Sequence, residues 1–138
     1  IHKKLGHIMW DLVGMARTKE SLQKALDGIK EVKKDFWANV RIPGDVNELN
    51  IELEKALRLS DFIEVGMLMA TDALNREESC GGHFREEFQT PEGEALRDDA
   101  NFSYVSCWKY TGEDSAPELI KEDLNYQFVK VQTRNYKA

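Results

Sequence analysis

The sequence predicts a mainly α fold: a three-helix bundle with one long helix, followed by an irregular segment and a small antiparallel β ribbon. Three observations carry this reading. Apolar residues recur three and four apart from Leu5 to Leu74, the spacing of amphipathic helices. A cap signal at Thr18 and a break at Ile42-Pro43-Gly44 cut that stretch into three. From Phe102 onward the period changes to two, as in a half-buried strand.

The first helix carries Leu5, Ile8, Met9, Leu12, Val13 and Ala16 on one stripe. Gly6 and Gly14 weaken it by up to about 1 kcal/mol each, which is tolerable where another helix approaches closely. Thr18 is the expected N-cap of the second helix, because its hydroxyl can accept from an otherwise unpaired first-turn N–H. That helix buries Leu22, Ala25, Leu26, Ile29, Val32 and Phe36, with Trp37 at the margin, and wets Lys24, Lys30, Glu31 and Lys34. Pro43 lacks the donor that helix continuation requires.

The third helix is expected over 46–77, roughly 48 Å at 1.5 Å per residue. Asp45 and Glu48 have capping-box spacing, and Asn47 is the neighbouring cap candidate. Val46, Leu49, Leu53, Ala56, Leu57, Ser60, Ile63, Met67, Ala70 and Leu74 trace its continuous face, with Glu52, Glu54, Lys55 and Arg58 outward. Its second half adds Leu59, Phe62, Met69 and Ala73 off that stripe, as when a helix is buried from a second side. Two coverings fit: the chain's own C-terminal segment, or a domain outside this sequence. Apolar area around Phe62 or Met69 is therefore expected to be open.

Segment 88–101 holds Pro91, Gly93, Arg97, Asp98, Asp99 and Asn101 and reads as an irregular connection with a helical turn. Phe102, Tyr104, Ser106, Trp108 and Tyr110 share one face of a first strand. Thr111-Gly112-Glu113-Asp114 suits a turn, and Leu124, Tyr126 and Phe128 alternate as a second strand. A lone ribbon is marginal, so its aromatic face should lie on the helices. The organisation expected is a bundle over 1–80 and a loop-and-ribbon extension over 81–138 packed on it, together one structural domain.

A net charge of −6, with no extended basic block, argues against a nucleic-acid partner. No run approaches the roughly 18 apolar residues of a membrane span. Reduced thiols are the favoured state of Cys80 and Cys107. Ile1 in place of Met reads as processing or excision from a longer protein.

Cys80 and His83 lie three apart, but a structural zinc needs about four ligands and the second pair is missing. As a nucleophile pair they lack an orienting third group. Gly81-Gly82 lacks the strand–loop–helix order and the GxGxxG spacing of a phosphate cradle, so a sharp helix exit using positive φ is the better reading. His83 or Arg85 then suits the negative end of the long helix. Arg97-Asp98-Asp99 is a candidate acidic complement to Arg76 or Arg85. Trp10, Trp37 and Trp108 read as core packing. No catalytic, cofactor-binding or metal residue is assigned.

The run Asn75-Arg76-Glu77-Glu78-Ser79, then Gly81, His83, Arg85-Glu86 and the downstream Arg97-Asp98-Asp99, resembles the C-terminal helical domain of the succinate dehydrogenase/fumarate reductase flavoprotein family. Met9-Trp10, Val13-Gly14 and Arg17 are similar to that family's first helix, and the resemblance extends over nearly the whole chain. Cys80 stands where members commonly carry Arg, and Gly82 where Ala is frequent, so the contact of that guanidinium does not transfer. The acidic loop around 87–95 looks closest to Bacteroides-like forms.

The resemblance implies a parent enzyme interconverting succinate and fumarate. Hydride passes between the dicarboxylate and FAD, and electrons leave through an iron–sulfur subunit to a quinone. FAD, the flavin-linking histidine and the proton-shuttling arginine belong to upstream domains. This stretch then braces the flavoprotein, and by itself is expected to be inactive. Arg76, Glu77, Ser79, His83, Arg85, Glu86, Arg97, Asp98 and Asp99 become the candidate contacts to upstream FAD-binding and substrate-capping domains or to the iron–sulfur subunit. Membrane contact is expected only indirectly, through a quinone-reactive subunit at the inner face of a bacterial cell membrane, with the complex on the cytoplasmic side. The alternatives are a related FAD enzyme, such as L-aspartate oxidase or adenylylsulfate reductase, and a stand-alone helical interaction module.

Overall fold

Thr18 sets the first internal boundary. Its hydroxyl accepts from the Ser21 N–H at 3.0 Å while the Ser21 hydroxyl accepts from the Thr18 N–H at 3.0 Å. That reciprocal cap opens α2 (Lys19–Asn39), which follows α1 (His2–Leu12). In the computed structural model, which describes residues 1–113 and 115–133, α3 (Ile51–Asn75) completes a three-helix bundle. A single turn, α4 (Asp99–Phe102), then leads into an antiparallel pair, β1 (Tyr104–Lys109) and β2 (Glu118–Asp123). Asp114 of the expected turn and residues 134–138 lie outside the described residues.

The core is built around α2. Leu22, Ala25, Leu26, Ile29, Val32 and Phe36 are all buried, meeting Leu5 and Val13 on one side and Ile63, Ala70 and Ala73 on the other. Helix α1 fits because glycine opens space for it, at positions other than those expected. A Cβ at Gly28 would stand 3.1 Å from Ile8 Cδ1, and one at Gly66 would stand 3.2 Å from Met9 Sδ. Gly6 faces open space instead, and a Cβ at Gly14 would strike the Trp10 carbonyl. Ala16 falls beyond the end of α1 and is exposed.

Trp10 and Trp37 correct the core-packing expectation, since both are exposed. Each directly follows an inward-facing residue, Met9 or Phe36, and one step along a helix rotates a side chain by about 100° off the buried line. Trp37 still sets its ring edge-on to Phe36, with centroids 5.0 Å apart.

Helix α3 starts five residues later than expected. Asn50, not Asp45 or Asn47, is its cap, accepting from the Glu52 and Leu53 N–H groups at 3.1 Å each. The amide of Asn50 also donates to the Pro43 carbonyl, so one side chain ties the preceding loop and starts the helix. Asp45 is spent on a local turn with Asn47, leaving Val46 and Leu49 exposed in that loop. The 25 residues of α3 span about 37 Å. Of the off-stripe residues, Ala73 is buried and Leu59 packs on the core. Phe62, Val65 and Met69 remain 58%, 51% and 51% exposed, as the widened apolar pattern anticipates.

The ribbon puts Tyr104 inward, with Ser106 and Trp108 half-buried on the same face, while Val105 and Cys107 face outward. Its second strand lies earlier than the 124–129 alternation suggests. Register is fixed by Tyr104 opposite Asp123 and Lys109 opposite Glu118, with Lys109 Nζ bonding Glu118 at 2.9 Å. Leu124 donates one further bond, to the Ser103 carbonyl, and Tyr126 and Phe128 lie beyond the strand, exposed.

Candidate functional site

Helix α3 ends with carbonyls that have no further helical partner, and a single side chain closes them. Arg85 Nη1 donates to the carbonyls of Ala73 at 3.0 Å and Leu74 at 3.2 Å. Its Nε reaches Glu87 at 3.1 Å, and its guanidinium lies over the Phe88 ring. A cation at this end also opposes the partial negative charge of the helix. Ser79 fixes the backbone that presents it: its hydroxyl accepts from the Arg85 N–H at 2.8 Å and donates to the Arg85 carbonyl at 3.1 Å. Both residues are fully buried, so their contacts are made inside the domain.

The chain can return toward the helix because Cys80 and His83 pair across a two-residue turn, N–H to carbonyl in both directions at 2.8 and 3.0 Å. Gly81 takes φ +59° there, a conformation cheap only without a Cβ. The glycines therefore serve a tight hairpin rather than the helix exit, which is an extended Arg76. Behind the hairpin, Arg17 N–H donates to the Phe84 carbonyl and Glu86 N–H to the Arg17 carbonyl, locking the connection between α1 and α2 to this loop.

His83 joins the two. Arg17 Nη1 donates to its Nδ1 at 2.9 Å, and its Nε2 bonds the Arg76 carbonyl at 2.9 Å. A guanidinium only donates and a carbonyl only accepts, so the proton sits on Nε2 and the ring is neutral. Burial, opposed by the carbonyl bond but reinforced by the charges of Arg17, Arg85 and Arg76, lowers its pKa.

Arg76 does not wait on the Arg97-Asp98-Asp99 run for its acid. Its partner is buried Glu78, at 2.9 Å, and it also donates to the Phe102 and Tyr104 carbonyls at 2.9 and 3.0 Å. The other oxygen of Glu78 accepts from the Asp98 N–H. Asp98 itself caps α4, and Asp99 pairs with Arg97, whose Nη1 also donates to the Gln132 carbonyl. The expected acidic complement is thus replaced by nearer carboxylates, Glu78 for Arg76 and Glu87 for Arg85.

Of the sequence-derived candidates, Glu77, Glu86 and Asp99 are exposed and Arg76, His83, Arg97 and Asp98 are half-buried. Glu78, Asp72 and Trp108 were not among them. Trp108 Nε1 donates to Asp72 at 2.9 Å, seating the ribbon on α3. Glu78 carried no separate signal, being one of two adjacent glutamates.

Arg17, Leu68, Met69, Asp72, Cys80, His83 and Trp108 are among the residues lining a cleft of about 540 Å³ beside this hairpin. A second, more apolar groove of about 840 Å³ runs along α3 past Leu59, Phe62, Val65 and Met69. Gly81-Gly82 is closed into the hairpin, and among the described residues no strand–loop–helix cradle for a pyrophosphate adjoins it. Among the described residues no helix is long and apolar enough to cross a membrane.

Comparison with known proteins agrees with this architecture. Residues 2–136 match the family described as "Fumarate reductase flavoprotein C-term". The chain is 35% identical over 124 residues to the fumarate reductase flavoprotein subunit of a Serratia species, covering 90% of this chain and 20% of that one. It is 34% identical over 124 residues to the Proteus vulgaris counterpart, with the same coverage. A solved Escherichia coli quinol fumarate reductase structure superposes with a TM-score of 0.78 at 28% identity, over 96% of this chain and 22% of that chain. The chain therefore spans about a fifth of the length of the curated relatives it matches. With residues 2–136 matched by the family and 96% of the chain superposing on a solved relative, this chain belongs to the fumarate reductase flavoprotein C-terminal family.

Proposed function

We propose that this chain is the C-terminal bracing module of an FAD-dependent flavoprotein subunit that interconverts succinate and fumarate. The observation that carries the reading is the open apolar line on α3, Phe62, Val65 and Met69, in a domain whose core is already closed on the opposite face. An uncovered line of that kind is what a helix presents to a further domain. Upstream FAD-binding and substrate-capping domains cover it.

Glu77, Glu86 and Asp99, with Arg76, His83, Arg97 and Asp98 behind them, form the polar part of the contact, including its approach to an iron–sulfur subunit. Ser79 and Arg85 hold that surface in place from inside. The clamping of 79–86 onto α3 supports reading 1–80 and 81–138 as one domain of a longer protein. The complex attaches to the cytoplasmic side of the membrane through a quinone-reactive partner, and the acidic 87–95 loop favours a Bacteroides-like form.

Hydrogen exchange on the 138-residue chain and on the complete flavoprotein tests this. Added protection at 62–69 and around His83 in the complete protein is expected, and equal protection in both rejects it. Succinate oxidation by the complete enzyme, against aspartate oxidation, separates this parent from L-aspartate oxidase.

A further inference from the structure

The arginines around the end of α3 differ in one respect. Arg76 has Glu78, Arg85 has Glu87 and Arg97 has Asp99. Arg17 has only neutral partners: the Val13 and Gly14 carbonyls at 3.2 and 2.9 Å, and His83 Nδ1. Among the described residues no carboxylate lies within ion-pair distance of it, although it is half-buried and lines the cleft beside the hairpin. Asp72, the carboxylate of that cleft, is engaged by Trp108 Nε1. Burial, and then the like charge of Arg85, hold the Arg17 guanidinium below its ordinary pKa, so its charge sits at a cost that an incoming anion would offset. The facing wall is apolar, with Leu68 and Met69 exposed. Met69 also lines the α3 groove, so the two concavities share that side chain.

Resting on the interdomain reading above, we propose that this cleft is a socket for an aspartate or glutamate side chain from the upstream part of the parent chain, its carboxylate on Arg17 and its apolar neighbour against Leu68 and Met69. An uncompensated cation, an apolar wall and a lining residue shared with the groove select such a segment. The relatives place about four-fifths of their length outside the region matched here, which supplies ample chain for it.

The test uses the complete flavoprotein carrying Arg17→Lys, which keeps the charge and adds a reactive amine. Treatment with a water-soluble carbodiimide joins that amine to a carboxylate in direct contact, and mass spectrometry of the digest identifies the partner. A cross-linked peptide joining position 17 to an Asp or Glu upstream of this region is expected. A link only to carboxylates of these 138 residues, within one chain or between two copies, overturns the socket, as does no link. Leu68→Glu supplies the second measurement, because it sets a like charge facing the incoming carboxylate. It should lower the melting temperature of the complete flavoprotein by several degrees and leave the 138-residue chain unchanged; equal effects in both also overturn the socket. Protection at 62–69 without the cross-link removes the socket alone, whereas loss of both removes the interdomain reading with it.

Discussion

Arg85→Met removes the side chain that closes α3 while keeping a stem of similar length. In the folded chain Arg85 is 1% exposed and donates to two helix-end carbonyls and to Glu87. Leaving a buried carbonyl unpaired costs about 1–3 kcal/mol, and stripping one partner from a buried ion pair about 3–5. Glu87 is 38% exposed and can rehydrate, which brings the net expectation down to roughly 3 kcal/mol. An unfolding entropy of about 2.1 cal/mol/K per residue converts that loss into a melting temperature lower by about 10 °C. Urea denaturation followed by tryptophan fluorescence, with thermal melting by circular dichroism, measures both on the 138-residue chain. Arg97→Met is the control: its pair with Asp99 is exposed and worth less than about 1 kcal/mol. Losses of similar size in the two variants would refute the assignment of Arg85 as the internal closure of α3.

Three further outcomes follow from the same geometry. Because the His83 pKa is lowered in the fold by burial and neighbouring guanidiniums, the unfolded chain binds its proton more readily. Stability should therefore fall as pH drops below the ordinary histidine value toward the lowered one, and urea midpoints against pH should flatten in His83→Gln. Gly6→Ala should stabilise by about 0.5–1 kcal/mol, since its Cβ meets open space in a helix, whereas Gly81→Ala should cost about 1 kcal/mol or more at φ +59°. Melting curves that rank these two alike would contradict the turn assignment. Glu78→Ala should cost roughly 3 kcal/mol by leaving Arg76 and the Asp98 N–H without their shared acceptor, as read by urea midpoint.

The helices were legible because burial imposes a period, and α2 shows this most plainly: every residue of its stripe from Leu22 to Phe36 is buried. Its cap was legible because Thr18 has no rival nearby. The start of α3 was not, since Asp45, Asn47 and Asn50 are all competent caps. The choice fell to Asn50, which alone also reaches the Pro43 carbonyl. Strand β2 was missed for a related reason. Glu118-Leu119-Ile120-Lys121-Glu122-Asp123 has no apolar alternation, because β1 rather than a buried face sets its register. At the site, the charge-dense run from Arg76 to Glu87 does not disclose its own partnerships. Which carboxylate meets which guanidinium depends on the hairpin at Gly81-Gly82, whose geometry becomes visible only once the chain has turned back on α3.

That partnership bears on what the module can do chemically. Arg85 commits Nε to Glu87 and Nη1 to the Ala73 and Leu74 carbonyls, and Arg76 commits Nη1 and Nη2 to Glu78 and to the carbonyls of Phe102 and Tyr104. His83 is saturated, with one ring nitrogen accepting and the other donating. Part of the polar density that marks this run in the sequence thus fastens the α1–α2 connection, α3 and the ribbon to one another, while Glu77 and Glu86 stay exposed. The apolar line from Phe62 to Met69 is exposed, and among the described residues no carboxylate lies within ion-pair distance of Arg17. On the interdomain reading proposed above, both features would act through shape and charge complementarity.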